Sequence, residues 1–221
     1  MADRIVEAYV GEYASGKSEV AVNRALELAR LNHKVNLVDF DIVEPCYTLR
    51  PIKKQLSEQG IDVIAWDTRD TVGLGEAGNI IKPASRWVLL REGDVVLDIG
   101  YGVEGSKTLN LLEGADKEPN LKIYMVVNIS RPMTSNVKEI VEYARELAPL
   151  HGLINNTHLG DETTPEVVQK GAQVVTEAAR ELGLPIIATT AVRAIAEMIG
   201  DKDCMGNMVR PLDRYMPHTL W

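Results

Sequence analysis

The sequence has few aromatic residues and no long apolar run. Only 5% of its 221 residues are aromatic, and a single Phe is present. The core must therefore consist mainly of aliphatic side chains, which are the usual lining of buried parallel strands. No apolar run reaches the roughly 20 residues that a membrane-spanning helix needs, and the N-terminus does not resemble a signal peptide. A protein without a membrane anchor is predicted.

Cysteine is also scarce. The two cysteines, Cys46 and Cys204, lie far apart and outside any C-x-x-C pattern. This usage is typical of a reducing cytoplasm rather than of a secreted disulfide scaffold. The histidines lack the spacing of a zinc hydrolase. A cysteine from each of two copies could still bind a metal across a dimer interface, so a metal-linked role stays open.

Acidic residues outnumber basic residues. Asp and Glu total 32 against 24 for Lys and Arg, which gives a formal net charge of −8. Such a chain repels a polyanion, and no cluster of Lys and Arg interrupts the acidic balance. Binding to nucleic acid by this chain alone is therefore not expected.

Short apolar runs alternate with segments of helical periodicity along most of the chain. The strand candidates are 5–10, 34–39, 61–66, 94–99, 121–128, 150–156 and 184–189. The helix candidates are 18–31, 49–58, 134–147 and 165–182. This alternation predicts an α/β fold with a doubly wound, mostly parallel sheet and helices on both faces.

Residues 1–200 are predicted to form one domain. The periodicity ends after this point, so residues 201–221 are predicted to be a C-terminal tail that packs on the domain or extends from it. Residues 68–86 are rich in glycine and charge and predict a long loop between a strand and a helix. Contacts with a substrate or partner often lie in such loops.

The segment 11–18 fits the phosphate-binding pattern G-x-x-x-x-G-K-[ST] between a predicted strand and a predicted helix. Its residues, all predicted to bind nucleotide, are Gly11, Glu12, Tyr13, Ala14, Ser15, Gly16, Lys17 and Ser18. The glycines allow a tight turn that directs N–H groups at phosphate oxygens, and the helix N-terminus favours the anion. Lys17 is expected to neutralise phosphate charge and Ser18 to bind Mg²⁺.

Two further acidic segments follow predicted strands. Asp39 and Asp41 end the second strand, and Asp98 ends an apolar strand that is followed by Gly100 and Gly102. Ligands of open α/β sheets bind at this edge, so all three acids are predicted to serve Mg²⁺, and Asp41 also the attacking water. Helix capping or simple solvation of Asp39 and Asp41 is the open alternative.

Together these motifs resemble the MinD/ParA/CobQ/CobB class of P-loop ATPases, whose members include the nitrogenase iron protein and ArsA-like carriers. Residues 38–42 look like the first switch of MinD-type proteins, and residues 98–100 resemble the second. The resemblance covers nearly the whole domain. It implies a P-loop NTPase fold, ATP or ADP with Mg²⁺ as ligands, hydrolysis of ATP, and a protein partner that responds to it.

The same resemblance nominates residues for the nucleobase. Residues 152–156 are similar to the strand-end motif whose asparagine reads adenine, which makes Asn156 the base reader and Asn155 a weaker nomination. Arg193 follows the last predicted strand, where related proteins place a loop around the base. Residues 38–45 and 153–160 look most like a branch known only as ATP-binding proteins, which indicates no substrate.

Glu12 departs from the family pattern. Many MinD and ParA relatives have at this position a lysine that reaches across a dimer to the phosphates of the partner. Lys107 or Arg50 could supply a cation instead, although a surface role is the alternative for both. A homodimer is therefore left open.

The leading interpretation is a cytoplasmic ATPase that acts as a nucleotide-controlled switch. One alternative is an ATP-dependent ligase or synthetase that acts on a small carboxylate and uses the 68–86 loop for its acceptor. Another is a metal or cofactor maturation ATPase in which Cys46 binds metal. A nucleotide sensor that does not hydrolyse ATP also stays open.

Overall fold

The computed structural model describes residues 4–41, 49–65 and 83–216. Its strands are β1 (Val6–Gly11), β2 (Val35–Phe40), β3 (Ile61–Ile64), β4 (Asp94–Ile99), β5 (Leu121–Val127), β6 (Gly152–Asn155), β7 (Ile186–Val192) and β8 (Val209–Leu212). Its α-helices are α1 (Lys17–Arg30), α2 (Lys53–Glu58), α3 (Pro83–Arg86), α4 (Gly102–Lys107), α5 (Val137–Glu146), α6 (Pro165–Leu182) and α7 (Arg193–Ile199). Short 3₁₀ turns connect several of these elements, among them Pro132–Thr134.

The described strands form one parallel sheet in the order β3-β2-β4-β1-β5-β6-β7-β8. β1 is central, because Val6 lies opposite both Val95 of β4 and Leu121 of β5. Strand order reverses beside β1, and such a point is where open α/β sheets bind ligands. The predicted fold class is confirmed.

Successive residues of each strand face opposite sides of the sheet, and each side has its own apolar core. Ala8 and Val10 of β1 pack on the side that α5 and α6 cover. Tyr9 packs on the other side, against α1 and α2. The covering helices bury their apolar stripes against the strands, which explains why the strands read as nearly continuous apolar runs.

β8 was not predicted from the sequence. Residues 209–212 lie in the segment assigned to a tail, yet they pair with β7 from Thr189↔Val209 to Val192↔Leu212. Pro211 interrupts the strand-like pattern, and proline is tolerated in a strand at the edge of a sheet because one row of its backbone groups needs no ladder partner. This part of the predicted tail therefore belongs to the sheet itself.

Some predicted features lie outside the described residues. They are Cys46, the last residue (66) of the third predicted strand, most of the predicted loop that follows it (up to residue 82), and residues 217–221 of the tail. Within the described ranges, no helix combines the length and apolar character that crossing a bilayer requires.

Candidate functional site

The atoms around the predicted phosphate-binding loop require both of its glycines. Gly16 has a φ of 88°, and a Cβ added there would lie 2.1 Å from Nδ2 of Asn156. Gly11 has a φ of 150°, and its added Cβ would lie 2.5 Å from the carbonyl oxygen of Val126. The loop 11–18 is therefore packed closely against β5 and against the segment 156–160 that follows β6, here called the β6 loop, where only glycine fits.

The loop folds over its own backbone. The carbonyl oxygen of Glu12 accepts hydrogen bonds from the N–H of Ser15 at 3.3 Å and from Nζ of Lys17 at 3.1 Å. Ala14 adopts a left-handed φ of 53°, which is uncommon for a residue with a Cβ. α1 begins directly afterwards, and the first N–H groups of a helix have no partner within it. This arrangement suits an anion at the start of α1.

Two hydroxyls lie within this loop and at the start of α1. Oγ of Ser15 is fully buried and, among the described residues, has no hydrogen-bond partner. The hydroxyl of Ser18 lies close enough to the Asp98 carboxyl to lower its pKa, so the start of α1 lies beside the end of β4. The structure thus brings together the predicted phosphate loop and the predicted acid of β4.

Asp98 is a buried acid beside a second acid. Burial and, next, the charge of Asp39, its register partner on β2, raise its pKa to about 7. The nearby Ser18 hydroxyl and the charge of Lys17 act in the opposite direction. A cation at this place would stabilise the ionised carboxylate, because opposite charges favour the charged form.

Asp39 and Asp41 lie at the end of β2, on the same edge of the sheet. Asp39 accepts hydrogen bonds from the N–H groups of Asp41 at 3.3 Å and Leu49 at 3.1 Å, so it also organises the turn. The charge of Asp41 contributes to the raised pKa of Asp98. The structure therefore places the three nominated acids near one another.

The donor set fits Mg²⁺ under one condition. Ser18, Asp39, Asp41 and Asp98 offer only oxygen ligands, which Mg²⁺ prefers. Within the described residues, however, no three His, Cys, Asp or Glu side chains converge enough to hold a metal by themselves. A Mg²⁺ ion at this edge would need water and phosphate oxygens as further ligands, and Mg²⁺ commonly retains such ligands in nucleotide sites.

Asn156 is placed under the phosphate loop. Its Nδ2 donates to the carbonyl oxygen of Ser15 at 2.8 Å, and its Oδ1 accepts from the hydroxyl of Thr190 at 2.8 Å. A side-chain amide has two donor hydrogens and two acceptor lone pairs. One of each is left after these two bonds. Asn156 therefore braces the loop and still has the groups that contact with a base requires.

Asn155 has a different environment. It is fully buried, and its Nδ2 donates to the carbonyl oxygen of Val168 in α6 and to the hydroxyl of Thr189, both at 3.2 Å. Its Oδ1 accepts from the N–H and hydroxyl of Thr157. These contacts hold the β6 loop against α6 and β7.

Arg193 is held by the C-terminal segment. Its guanidinium makes two hydrogen bonds to the Asp213 carboxylate, at 3.0 and 2.7 Å. Asp213 also exchanges two backbone hydrogen bonds with the side chain of Asn23 in α1. The Glu19 carboxylate accepts from the N–H groups of Tyr215 and Met216. Sequence motifs gave no signal for these contacts.

The other nominated cations do not lie in the described site. Nζ of Lys107 is 2.5 Å from the Glu104 carboxylate, and both side chains are exposed. The side chain of Arg50 lies outside the described part of the structure. Tyr13 instead connects the loop to the segment after β4, because its ring meets Tyr101 edge to face with centroids 5.4 Å apart.

No protein family and no curated protein matches the sequence. Solved structures do match its fold. FtsY of Thermotoga maritima gives a TM-score of 0.56 at 19% identity, over 86% of this chain and 62% of that one. FtsY of Mycoplasma mycoides gives 0.54 at 13%, over 84% and 59%. The signal recognition particle receptor FtsY of Elizabethkingia anophelis, in complex with GDP, gives 0.54 at 12%, over 89% and 58%.

The chain therefore has the α/β fold of the P-loop NTPases. It spans about 60% of the length of these FtsY chains. Identities of 12–19% establish the fold alone. The finer resemblance to the MinD/ParA/CobQ/CobB class stays a prediction.

Proposed function

We propose that the protein binds ATP with Mg²⁺ at the loop 11–18, hydrolyses it, and acts as a nucleotide-controlled switch for a protein partner. The observation that carries this proposal is the closeness of loop and acid: the buried Asp98 of β4 pairs in register with Tyr9 of β1, just before the loop, and the Ser18 hydroxyl acts on its carboxyl. A phosphate loop and an acidic strand end joined in this way have the elements that a magnesium–nucleotide site requires.

Each polar residue then has a distinct role. Loop N–H groups and Lys17 bind the phosphates and stabilise the charge that develops on them. Ser18, Asp39, Asp41 and Asp98 hold Mg²⁺ directly or through water. When bound, Mg²⁺ neutralises phosphate charge. Asp41 orients a water molecule, which attacks the terminal phosphorus, and Asp41 accepts the proton of that water. The bridging P–O bond breaks, and the products are ADP and phosphate.

Adenine is proposed as the base because of the β6 loop. Guanine presents N–H donors on its pairing edge, and a protein reads them with an acceptor such as a carboxylate. Residues 156–160 contain no carboxylate, and Oδ1 of the next acid, Asp161, is 2.5 Å from NH1 of Arg214. The remaining donor and acceptor of Asn156 match N7 and N6 of adenine.

The switch role is proposed from the loops around the site. Asp39 and Asp98 lie at the ends of β2 and β4, and Asp41 follows β2 directly. A partner that binds these segments differently in the ATP and ADP states would read the nucleotide. A protein partner, a homodimer and a cytoplasmic location are all parts of the proposal.

Titration calorimetry with ATP, ADP and GTP in Mg²⁺, together with phosphate release, tests the site. Lys17→Ala is expected to weaken ATP binding at least about a hundredfold, because a buried cation is lost from the phosphate loop. Lys107→Ala is the matched control, since that exposed lysine pairs with Glu104. Asp41→Ala is expected to retain binding and lose phosphate release.

The outcomes separate the alternatives. Absence of nucleotide binding by the folded wild type, or equal binding by the Lys17 and Lys107 variants, would contradict the proposal. Tighter binding of GTP than of ATP would contradict the adenine assignment alone. Hydrolysis that requires an added small carboxylate would favour a ligase, and binding without any phosphate release would indicate a sensor.

A further inference from the structure

The side chain of Glu12 connects the phosphate loop to the segment after β5. Its Oε1 and Oε2 lie 3.3 and 3.2 Å from the N–H of Met133. Its Oε2 also lies 3.2 Å from the hydroxyl of Thr134. These three contacts join residues more than a hundred positions apart in the chain. The sequence predicted Glu12 to bind nucleotide as part of the loop, in the place of the family's lysine, and indicated no partner for its side chain.

The turn that contacts Glu12 is itself held in place by hydrogen bonds. Thr134 is fully buried, and its hydroxyl lies 2.9 Å from the carbonyl oxygen of Asn128, which follows β5. The side chain of Asn128 accepts hydrogen bonds from the N–H groups of Ser130 and His158. The turn that binds the Glu12 carboxylate is thereby fixed to the central sheet and to the β6 loop.

The backbone of Glu12 has a second task. Its carbonyl oxygen accepts from Nζ of Lys17 and from the N–H of Ser15, so its position sets that of the loop lysine. Loss of the side-chain contacts with Met133 would leave the backbone of Glu12, and with it this carbonyl oxygen, less restrained. The side-chain anchor and the shape of the loop are therefore coupled through one residue.

Charge supplies a further reason for the anchor. A carboxylate in a loop that receives phosphates would repel them if it pointed inward. The N–H of Met133 donates to the carboxylate, and the Thr134 hydroxyl, whose one proton is shared with the carbonyl oxygen of Asn128, lies beside it, so the carboxylate is held on the β5 side of the loop. The Glu12 carboxylate and a bound phosphate can then occupy opposite sides of the same loop.

We propose that Glu12 is a positioning residue that holds the loop 11–18 in its anion-accepting shape through Met133 and Thr134 of the same chain. The inference rests on the proposed nucleotide binding for its functional meaning. The contacts that carry it are intramolecular, so the anchored loop needs no second copy of the chain.

The first test is nucleotide affinity, measured by calorimetry with Mg-ATP. Glu12→Ala is expected to raise Kd about tenfold and Thr134→Val about threefold, in line with the loss of charge-assisted hydrogen bonds. The double variant should lose less affinity than the sum of the two single losses, because the two changes share one contact, although Thr134→Val also removes the hydroxyl from the carbonyl oxygen of Asn128. Glu12→Gln should recover most of the affinity, since its amide oxygen still accepts from Met133. Glu92→Ala, at an exposed acid, is the control.

The second test needs no nucleotide. Hydrogen exchange of the peptide that covers residues 11–18 should speed up about tenfold or more in Glu12→Ala and stay unchanged in Glu92→Ala, as expected for local loosening. Unchanged exchange, or additive effects in the double variant, would overturn the inference even if the wild type binds ATP. Faster exchange in a protein that binds no nucleotide would keep the anchor and refute the proposed function.

Discussion

Gly16 combines a left-handed backbone with a close neighbour on the side where a Cβ would lie. The neighbour is the amide of Asn156, which donates to the carbonyl oxygen of Ser15 in the same loop. The glycine lets the amide reach this oxygen. Glycine at this position thus permits both the turn of the loop and the hydrogen bond from Asn156 that stabilises it.

Gly16→Ala is expected to destabilise the protein by about 2–3 kcal/mol and to abolish tight ATP binding, because the new methyl displaces Asn156 as well as straining the backbone. Gly60→Ala is the matched control. Gly60 has a similar φ of 84°, but nothing lies within 4 Å of an added Cβ. It should cost only about 1 kcal/mol. Urea unfolding of both variants measures the difference, and equal costs would contradict the steric argument.

The sequence nominated residues of the candidate site but did not predict the contacts that join distant parts of the chain. The glycines, Lys17 and Ser18 follow from a motif in which backbone geometry and chemistry lie within eight positions. The contacts of Glu12 with Thr134 and of Asn156 with Ser15 join parts of the chain that only the folded sheet brings together. No periodicity or spacing encodes such pairs in a single sequence.

At the scale of elements, α6 packs unusually close to the loop after β6. Gly171 lies inside this helix, and an added Cβ would come within 2.2 Å of Oγ1 of Thr157 and 2.6 Å of Oδ1 of Asn155. Those two side chains hold the loop that carries Asn156. The position of the candidate base reader therefore depends on a small residue in a neighbouring helix.

Replacing glycine by alanine inside a helix usually stabilises it by about 1 kcal/mol. Gly171→Ala is expected to do the opposite and to destabilise the protein by roughly 1–3 kcal/mol, because the methyl overpacks the contact with Thr157. Glu177→Ala, at an exposed position of the same helix, should change stability by less than about 0.5 kcal/mol. Thermal unfolding compares them, and a stabilised Gly171 variant would refute the close packing.

Helices and strands with strong periodicity were predicted well, and α6 and β4 have the predicted bounds. α5 begins at Val137 rather than at 134, because the Asn136 side chain caps it and a 3₁₀ turn precedes it. β8 was missed because its four residues include a proline and show no alternation. Its place follows from pairing with β7, which is a tertiary contact.

At the scale of the whole molecule, one histidine couples stability to pH. Burial lowers the pKa of His158 to about 4, and the charges of Arg131 and Arg214 act in the same direction. Its Nδ1 accepts from the N–H of Gly160, which leaves the neutral ring with its proton on Nε2. The folded protein therefore binds this proton less readily than the unfolded chain does.

Because the unfolded pKa is near 6.5, the folded state loses stability as pH falls from about 6.5 to about 4 and is unaffected above that window. Between pH 7 and pH 5 the contribution of His158 should cost about 1–2 kcal/mol. His158→Asn should remove this contribution to the decrease in the free energy of unfolding between pH 7 and pH 5. Urea unfolding at the two pH values measures it, and equal pH dependence in both proteins would contradict the assignment.

The central position of β1 has a consequence for the order in which the protein can be completed during synthesis. The strand that leads into the loop 11–18 is synthesised before its two neighbours, β4 and β5. Pairing between distant segments forms slowly, since a long loop must close first. A nascent chain that has not reached residue 121 leaves one edge of β1 unpaired. The strand before the first motif thus gains its second neighbour only when β5 has been made.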